Sequence, residues 1–438
     1  MNPVNVGLLG LGTVGGGTVN VLTRNAEEIA RRAGRGILVT HATARDISRA
    51  RSCDVSNITL TANPEDIVTN PDIDIVVELI GGETLARDLV MKAIANGKHV
   101  VTANKALIAK HGNEIFNAAQ KKGVMVAFEA AVAGGIPIVK AIREGLAGNR
   151  IEWLAGIING TGNFILTEMR DKGREFGDVL AEAQRLGYAE ADPTFDVEGV
   201  DAAHKLAILA SIAFGIPLQF EKVFMEGITK ITREDVTYAE ELGYRIKHLG
   251  IAKKTENGVE LRVHPTLIPE GRLIANVDGV MNAVLVKGDA VGPTLYYGAG
   301  AGSEATASAV VADIVDVVRT LTADPENRVP HLAFQADLLT DLPILEIADV
   351  ETAYYLRMSA DDKPGVMADV TQILGNGGIS IEAVIQKEPK PQQTQAEIIL
   401  LSHKVLERKM NAAIEKIEAL DAISTAVTRI RLETLDKE

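Results

Sequence analysis

A length of 438 residues allows roughly two to four domains, and 46% hydrophobic against 24% charged residues is a globular balance with a core to bury. A formal charge of −14 excludes a primary role on nucleic acid, whose phosphates need a basic surface, and a single cysteine, Cys53, excludes an intrachain disulfide. With no basic leader or signal-length apolar stretch at the start and no apolar run long enough for a bilayer, a cytoplasmic location away from membranes is expected.

Residues 1–130 alternate short apolar runs with helical stretches. Strands are predicted at Val4–Leu9, Ile37–Ala44, Ile73–Leu79, His99–Thr102 and Val124–Phe128, and helices at Gly15–Arg32, Leu85–Asn96 and Lys105–Lys122. That alternation implies an α/β unit with a mostly parallel, doubly wound sheet, a Rossmann domain. Gly10-Leu11-Gly12-Thr13-Val14-Gly15 is a G-x-G-x-x-G run that follows the first strand and opens the first helix. Gly10 permits a tight turn, Gly12 lets a pyrophosphate approach the backbone, and Gly15 lets helix and strand pack closely. With Thr13 and Val14 they form the expected dinucleotide cradle, phosphates meeting the helix N–H groups and positive dipole end. At the end of the second strand an acid would take the ribose 2′-hydroxyl of NAD, and an arginine the 2′-phosphate of NADP. Arg45 and Asp46 stand side by side there. Arg45 favours NADP, NAD stays open, and both are also ordinary charges for a solvated loop. Asn104 and Lys105 follow the strand His99–Thr102, at the end where open sheets bind ligands. A cation at a helix start opposes the dipole, so Lys105 points to use on a carbonyl or phosphate.

Residues 131–325 read as an α+β catalytic and oligomerisation domain. Amphipathic helices are predicted at Asp178–Leu186 and Asp201–Phe214, and strands of a second, subunit-joining sheet at Gly258–Leu267 and Asn282–Lys287. The helix Ala305–Leu321 is expected to return to the first domain. Five acids, Glu190, Asp192, Asp196, Glu198 and Asp201, fall within residues 190–201, in a loop entering a helix. Asp201 and Lys205 share one helix face. Ala203, Leu206, Ala207 and Ala210 would lower the lysine's pKa by desolvation, and the acids would oppose that. Hydride transfer to or from an alcohol needs a group that moves the hydroxyl proton, and Lys205 suits it. The acids suit a substrate ammonium. The same spacing also fits a surface ion pair worth roughly 0.3–0.5 kcal/mol. His204 points elsewhere and reads as a packing or hydrogen-bonding residue, since no second His or Cys stands at ligand spacing.

Pro325, Pro330 and Pro343 mark a connector, with residues 326–350 as the linker. Residues 351–438 read as a self-contained βαββαβ unit. Its strands are Tyr354–Ser359, Ile379–Gln386, Ala396–Ser402 and Thr425–Leu432, its helices Gly365–Gly375 and Val405–Ala419, with Lys387–Gln393 a polar hairpin loop.

The stretch from Ala183 to Lys205, with Gly187-Tyr188-Ala189, Asp192-Pro193, Asp196-Val197, Gly199, Asp201 and Lys205, resembles the signature of the homoserine dehydrogenase family. Ile157-Ile158-Asn159-Gly160-Thr161-Gly162-Asn163-Phe164-Ile165-Leu166, Ala103-Asn104-Lys105-Ala106, Gly298–Gly302 and Thr306–Asp313 resemble further segments, so the likeness covers essentially the whole chain. The resemblance implies NAD(P)-dependent interconversion of L-homoserine and L-aspartate 4-semialdehyde, in threonine and methionine biosynthesis. It implies Lys205 as the acid/base, with Lys105 as a second lysine near the reacting oxygen and the cofactor. It implies that Glu190, Asp196 and Asp201 position homoserine, chiefly by its ammonium, and that Gly187 and Gly302 lie near the nicotinamide cofactor. Glu129–Ile136 resembles the family's monovalent-cation loop, offering the Glu129 carboxylate and the carbonyls of Val132, Gly134 and Ile136 to Na⁺ or K⁺. On its residues alone that loop is a glycine-containing turn after a strand. Ser303-Glu304 departs from the proline-containing turn common in the family. Residues 351–430 resemble an ACT domain through Asp361-Asp362-Lys363-Pro364-Gly365-Val366-Met367 and Gly377-Gly378-Ile379-Ser380-Ile381. That implies an allosteric amino acid, threonine, with dimerisation alone as the alternative, and a homodimer or homotetramer overall. A dehydrogenase of another amino-acid semialdehyde, or a non-catalytic amino-acid sensor, is the rival reading.

Overall fold

The structure, a computed structural model, describes residues 2–321, 328–387 and 395–435. Pro325 and most of the expected Lys387–Gln393 hairpin loop lie outside the described residues. Six parallel strands make the amino-terminal sheet: β1 (Val4–Leu9), β2 (Ile37–Thr43), β3 (Thr59–Thr61), β4 (Ile75–Glu78), β5 (His99–Thr102) and β6 (Val126–Ala127). Their order is β3-β2-β1-β4-β5-β6, with every neighbour parallel. This is the expected Rossmann architecture. The order reverses between β1 and β4, and ligands bind beyond the carboxyl ends of strands at such a switch point. Val4, Val6 and Leu8 of β1 and Ile75, Val76 and Val77 of β4 are buried, as strands covered on both faces must be. The stretch Gly15–Arg32 is not one helix. Asn25 (φ −107°, ψ 20°) breaks it into Thr13–Arg24 and Ala26–Ala33. The three-residue β3 and the helix Glu65–Val68 are too short to register as periodic patterns.

The remaining strands form one sheet. β7 (Ile151–Ile157), β8 (Phe224–Met225), β9 (Tyr244–Thr255), β10 (Gly258–Pro269), β11 (Met281–Gly288) and β12 (Gly292–Ala299) come from the middle of the chain. β13 (Glu351–Asp361), β14 (Ile381–Gln386), β15 (Gln395–Ser402), β16 (Val405–Leu406) and β17 (Thr428–Leu432) come from its end. The path is β12-β11-β7-β9-β10-β17-β13-β15-β14, with β8 beside β10 and β16 beside β13. The carboxyl-terminal unit has the expected βαββαβ order but is not self-contained. β17 pairs in parallel with β10, Thr266 opposite Arg431 and Leu267 opposite Leu432. Joining the two sheets covers an edge that each would otherwise leave open.

Helix Val200–Phe214 is a third correction. It is buried along its whole length from Asp201 to Phe214 and is not amphipathic in the sense of having a solvent face. Leu206, Ala207 and Ala210 share one apolar cluster with Val76, Val100, Ile108 and Phe116 of the Rossmann unit and with Val263 and Val284 of the second sheet. The helix is therefore wedged between the two halves. On the opposite face of the Rossmann sheet, helix Ser303–Thr320 packs on helix Thr13–Arg24, and Val310, Ile314 and Val317 join the core of Val6, Leu8 and Val77. Among the described residues no helix is long and apolar enough to cross a membrane.

The seam between β10 and β17 is charged as well as buried. Arg431, fully buried, donates to Glu407 at 2.7 Å and to Glu226 at 2.8 Å. Arg262 of β10, opposite Phe224 of β8, meets Glu260 at 2.9 Å and reaches Glu433, just past β17, at 2.6 Å. A buried ion pair adds little stability over an apolar one, but removing one partner strands the other. Arg431→Ala is expected to lower the stability by about 3–5 kcal/mol in urea unfolding; a loss below about 1 kcal/mol, the scale of an exposed ion pair, would contradict that account.

Candidate active site

The glycine turn sits where β1 ends. Gly10 has φ 103°, open only to glycine at ordinary cost, and its N–H donates to the Thr43 hydroxyl at 2.8 Å, tying the turn to β2. A Cβ on Gly15 would lie 2.3 Å from the Gly10 carbonyl oxygen, so close packing demands that glycine. Gly12 differs. It precedes helix Thr13–Arg24 at φ −86°, and a Cβ there would meet nothing within 4 Å. Open space in front of unpaired helix N–H groups is what a phosphate needs. Thr13 is exposed there, Val14 half-buried, and the Thr13 carbonyl accepts from Ser303 Oγ at 2.8 Å. That bond seats the Gly302 turn (φ 128°) against the glycine turn, and Glu304 pairs with Arg24 at 2.9 Å. The departure at Ser303-Glu304 is thus absorbed in contacts between two helices.

Arg45 is exposed, with no hydrogen bond or ion pair among the described residues. The Asp46 carboxylate instead turns back on Ser48, accepting its hydroxyl at 2.6 Å and its N–H at 2.9 Å, which holds its pKa below the usual range. Arg51, which the sequence gave no reason to single out, spans the same gap from the Leu11 carbonyl (3.3 Å) to the Asp46 carbonyl.

Two lysines and two acids converge where helix Val200–Phe214 meets the strand ends. Lys205 donates to Asp201 Oδ2 and to the Ile158 carbonyl, each at 2.7 Å. Lys105, opening the helix Lys105–Lys122 after β5, reaches the other oxygen of Asp201 at 2.8 Å. Asp201 and Lys205 are 3% and 9% exposed. Burial alone would raise Asp201, but the two ammoniums hold it well below the usual carboxylate range. Burial pushes Lys205 down, and Lys105 adds to that while Asp201 opposes it. Asp196 joins the cluster through Asn159, whose amide donates to Asp196 and to Asp201, both at 2.8 Å. Burial raises Asp196.

The other acids of the loop are placed differently. Glu190 is exposed on the rim, its carboxylate unengaged among the described residues. Asp192 accepts the Thr194 N–H at 3.1 Å and Glu198 the Thr229 hydroxyl at 3.0 Å, so both are spent on local structure. Gly187 (φ 77°) ends the helix Phe176–Arg185 region, exposed on the same rim. His204 packs: its ring stacks on Phe220 at 4.2 Å, and neither nitrogen has a partner.

The loop after β6 is buried and tight. Ala133 (φ 54°) and Gly134 (φ 47°) are both left-handed, and a Cβ on Gly134 would lie 2.5 Å from the Gly300 carbonyl. Glu129 accepts the N–H groups of Val139 (2.9 Å) and Lys140 (2.8 Å), while the Ile136 carbonyl accepts from Ile138 at 2.8 Å. Val132 is buried beside them. Burial, with Asp313 alongside, raises Glu129 to about 7. A buried acid, neighbouring carbonyls and strained backbone make an all-oxygen donor set that fits a hard monovalent cation.

Sequence reasoning passed over Asn159 and Glu78. Glu78, the last residue of β4, is buried and accepts from the Thr102 hydroxyl (2.6 Å) and the N–H groups of Ile80 (3.0 Å) and Gly81 (3.1 Å). It thereby fixes the loop leaving the switch point. A carboxylate closing a strand otherwise rich in Val and Ile was the available signal.

A glycine cradle at the switch point and a lysine pair on one buried carboxylate at the neighbouring strand ends define the class: a dinucleotide-dependent oxidoreductase that moves a proton as it moves a hydride. Family models for homoserine dehydrogenase, for its NAD-binding domain and for the ACT domain match residues 137–315, 10–129 and 354–422. The chain is 69% identical to the homoserine dehydrogenase of Pseudomonas aeruginosa, with 100% of each chain covered. A crystal structure of a homoserine dehydrogenase from Thiobacillus denitrificans superposes with a TM-score of 0.95 at 71% identity, covering 100% of this chain and 99% of that one. A hyperthermophilic archaeal homoserine dehydrogenase in complex with NADPH is 26% identical and covers 72% of this chain and 98% of its own, with a TM-score of 0.62. The chain belongs to the homoserine dehydrogenase family; it is an oxidoreductase with an NAD-binding domain and a carboxyl-terminal ACT domain.

The glycines make a sharp test of the cradle. Gly12→Ala should unfold at the wild-type temperature yet bind NADPH at least about tenfold more weakly, or 1.4 kcal/mol. Gly15→Ala should lose stability as well. Fluorescence titration and thermal unfolding separate the two, and wild-type NADPH affinity in Gly12→Ala would remove that residue from the phosphate site.

Proposed function

We propose that Lys205 is the acid/base of the interconversion of L-homoserine and L-aspartate 4-semialdehyde, with Lys105 beside it. The observation that carries this reading is one buried carboxylate, Asp201, holding both ammoniums at 2.7 and 2.8 Å. The nicotinamide of the bound dinucleotide supplies or accepts the hydride. In the oxidising direction neutral Lys205 takes the hydroxyl proton; in the reducing direction its ammonium returns a proton to the carbonyl oxygen. Lys105 offsets negative charge on that oxygen. Asp196 and Asp201, with Glu190 from the rim, hold the substrate ammonium. Gly10, Gly12, Thr13, Val14 and Gly15 cradle the pyrophosphate, and Gly187 and Gly302 border the nicotinamide. Free Arg45 beside an Asp46 already engaged by Ser48 favours NADP, with NAD as a second substrate.

Glu129 with the carbonyls of Val132, Gly134 and Ile136 would hold Na⁺ or K⁺. In the ACT domain a cavity of about 330 Å³ lined by Asp361, Lys363, Pro364, Gly365, Met367 and Gln386 has the size and polarity for threonine. Exposed Val291 and Tyr297 at the β12 edge support a homodimer or homotetramer built on the second sheet. Residues 1–130, 131–325 and 351–438, linked by 326–350, would be the working units of a cytoplasmic enzyme.

Lys205→Ala should lower kcat by about 10²–10⁴-fold while NADPH affinity and thermal stability persist; near-normal turnover would end the acid/base assignment. In wild type, homoserine oxidation should run faster with NADP than with NAD and fall when threonine is added; a threonine-insensitive rate would leave the ACT domain a dimerising module. The cation has its own signature. Glu129 keeps its proton to about 7 in the fold, against the usual 4.5, so its contribution to stability fades as pH rises through that window. A bound cation replaces the proton. Exchanging tetramethylammonium for Na⁺ or K⁺ should therefore raise Tm more at pH 8 than at pH 6, and Glu129→Gln should abolish the response. An equal Tm in all three salts at both pH values would argue against the site.

A further inference from the structure

Asn159 sits at the only turn between β7 and helix Gly160–Lys172, and it does three things with one side chain. Its Oδ1 accepts the Gly162 N–H at 2.7 Å, capping that helix. This fixes which way the amide faces, so both N–H bonds point at carboxylates. One meets Asp196 Oδ1 and the other Asp201 Oδ2, each at 2.8 Å. Asp201 Oδ2 is also the oxygen that accepts from Lys205. The preceding residue, Ile158, gives its carbonyl to the same ammonium. Two of the three Lys205 N–H bonds are thus set by the chain at 158–159 and by the carboxylate that Asn159 steadies, leaving one for a substrate oxygen.

We propose that Asn159 is a positioning residue of the reaction: its amide keeps Asp196 and Asp201 in register and limits the negative charge that Asp201 presents to Lys205. The proposal rests on the acid/base reading of Lys205. A neutral donor on a carboxylate oxygen spreads its charge, and removing it leaves the full charge to the remaining partner. The charged groups facing Lys205 are Asp201 from its own helix, Lys105 from the helix Lys105–Lys122 and Asp196 from the helix Thr194–Val197. His204 beside it and His248 of β9 behind Gly199 are both buried and neutral near pH 7. Among the described residues no other side-chain amide donates to Asp196 or Asp201.

The test uses two substitutions that keep the helix cap and lose the donor. Aspartate and serine both cap well, so Asn159→Asp and Asn159→Ser should fold. Neither can give two N–H bonds to the acids, and aspartate adds a charge. We expect kcat for homoserine oxidation to fall roughly 10–100-fold in each with NADPH affinity near wild type, and Tm to stay near wild type in Asn159→Ser but to drop in Asn159→Asp, which buries a third carboxylate beside two others. The ascending limb of kcat/KM against pH should move up by roughly one unit in Asn159→Asp and by less in Asn159→Ser, because the Lys205 amine is then harder to free of its proton. A cap alone would leave the pH profile in place in both variants, and that result overturns the proposal. Should Asn159→Asp fail to fold, the serine variant decides. Lys205→Ala, run in parallel, separates the two layers: retained turnover there removes the acid/base reading, whereas a Lys205-dependent enzyme with wild-type Asn159 variants removes only this one.

Discussion

A carboxylate almost sealed from water holds two lysines, and the rest of the architecture serves that contact. Asp201 is charged in a place where charge is costly, and only paired ammoniums and hydrogen bonds make such burial tolerable. A buried ion triad of this kind contributes little to folding compared with packed aliphatic side chains. What it provides is a lysine whose proton affinity is set by its surroundings instead of by water. Burial lowers Lys205, Lys105 lowers it further, and Asp201 restrains both. The same contact is also a joint. Asp201 belongs to the helix Val200–Phe214 and Lys105 opens the helix that follows β5 of the Rossmann sheet, so the ion pair spans the two halves of the site.

That joint stays rigid because the helix carrying Asp201 has no solvent face. Its aliphatic residues pack both on the Rossmann helices and on the second sheet within one continuous core. Two left-handed glycines bound it, Gly199 at φ 87° and Gly215 at φ 64°, so the chain turns sharply into and out of the interior. Gly199 also lets the His248 ring approach: a Cβ there would sit 3.2 Å from it. The glycine cradle, in turn, is fixed from behind by β2 through Thr43 and from the side by Ser303. Substrate and dinucleotide would meet between two bodies that share a core, and orientation of that kind lowers a reaction barrier without any moving part.

How much of this was readable beforehand depends on how local each feature is. The glycine run was legible because close packing at Gly15 and a left-handed turn at Gly10 leave only one residue type that works. Lys205 and Asp201 were legible as a pair because helical spacing puts them on one face. The helix around them was misread for the same reason. Asp201 and Lys205 fit a surface ion pair by spacing, but they face the site, His204 packs between two phenyl rings, and no face meets water. Asn159 entered only as part of a stretch resembling a family segment, with no role of its own; its value lies in acids 37 and 42 positions away, which no local pattern records. The fused sheet was hidden likewise, since the pairing of β10 with β17 joins residues 266 and 431. Within the acidic loop the sequence could not sort five similar carboxylates, and the fold did so by burial: Asp196 and Asp201 inward, Asp192 and Glu198 onto the backbone and a threonine, Glu190 on the rim.

The fused sheet links the ACT domain to the helix of Asp201 and Lys205 through a short chain of contacts. Arg431 of β17 is fully buried and holds Glu226, the residue following β8, at 2.8 Å. The Glu226 carbonyl accepts from His248 Nε2 at 2.9 Å, and His248 lies against Gly199, the residue before the helix of Asp201 and Lys205. Each step is short, with the Glu226 carboxylate partly exposed. A displacement of β17 carries Arg431 with it, and Arg431 cannot shift without loosening Glu226 or the buried Glu407, which is expensive to leave unpaired. A sheet shared by the two domains therefore makes the cavity of one and the lysine–carboxylate cluster of the other parts of a single packed body. Independent domains on a flexible linker would have no such constraint. The burial of charge at the seam, which does little for stability, is what makes the seam stiff enough to matter.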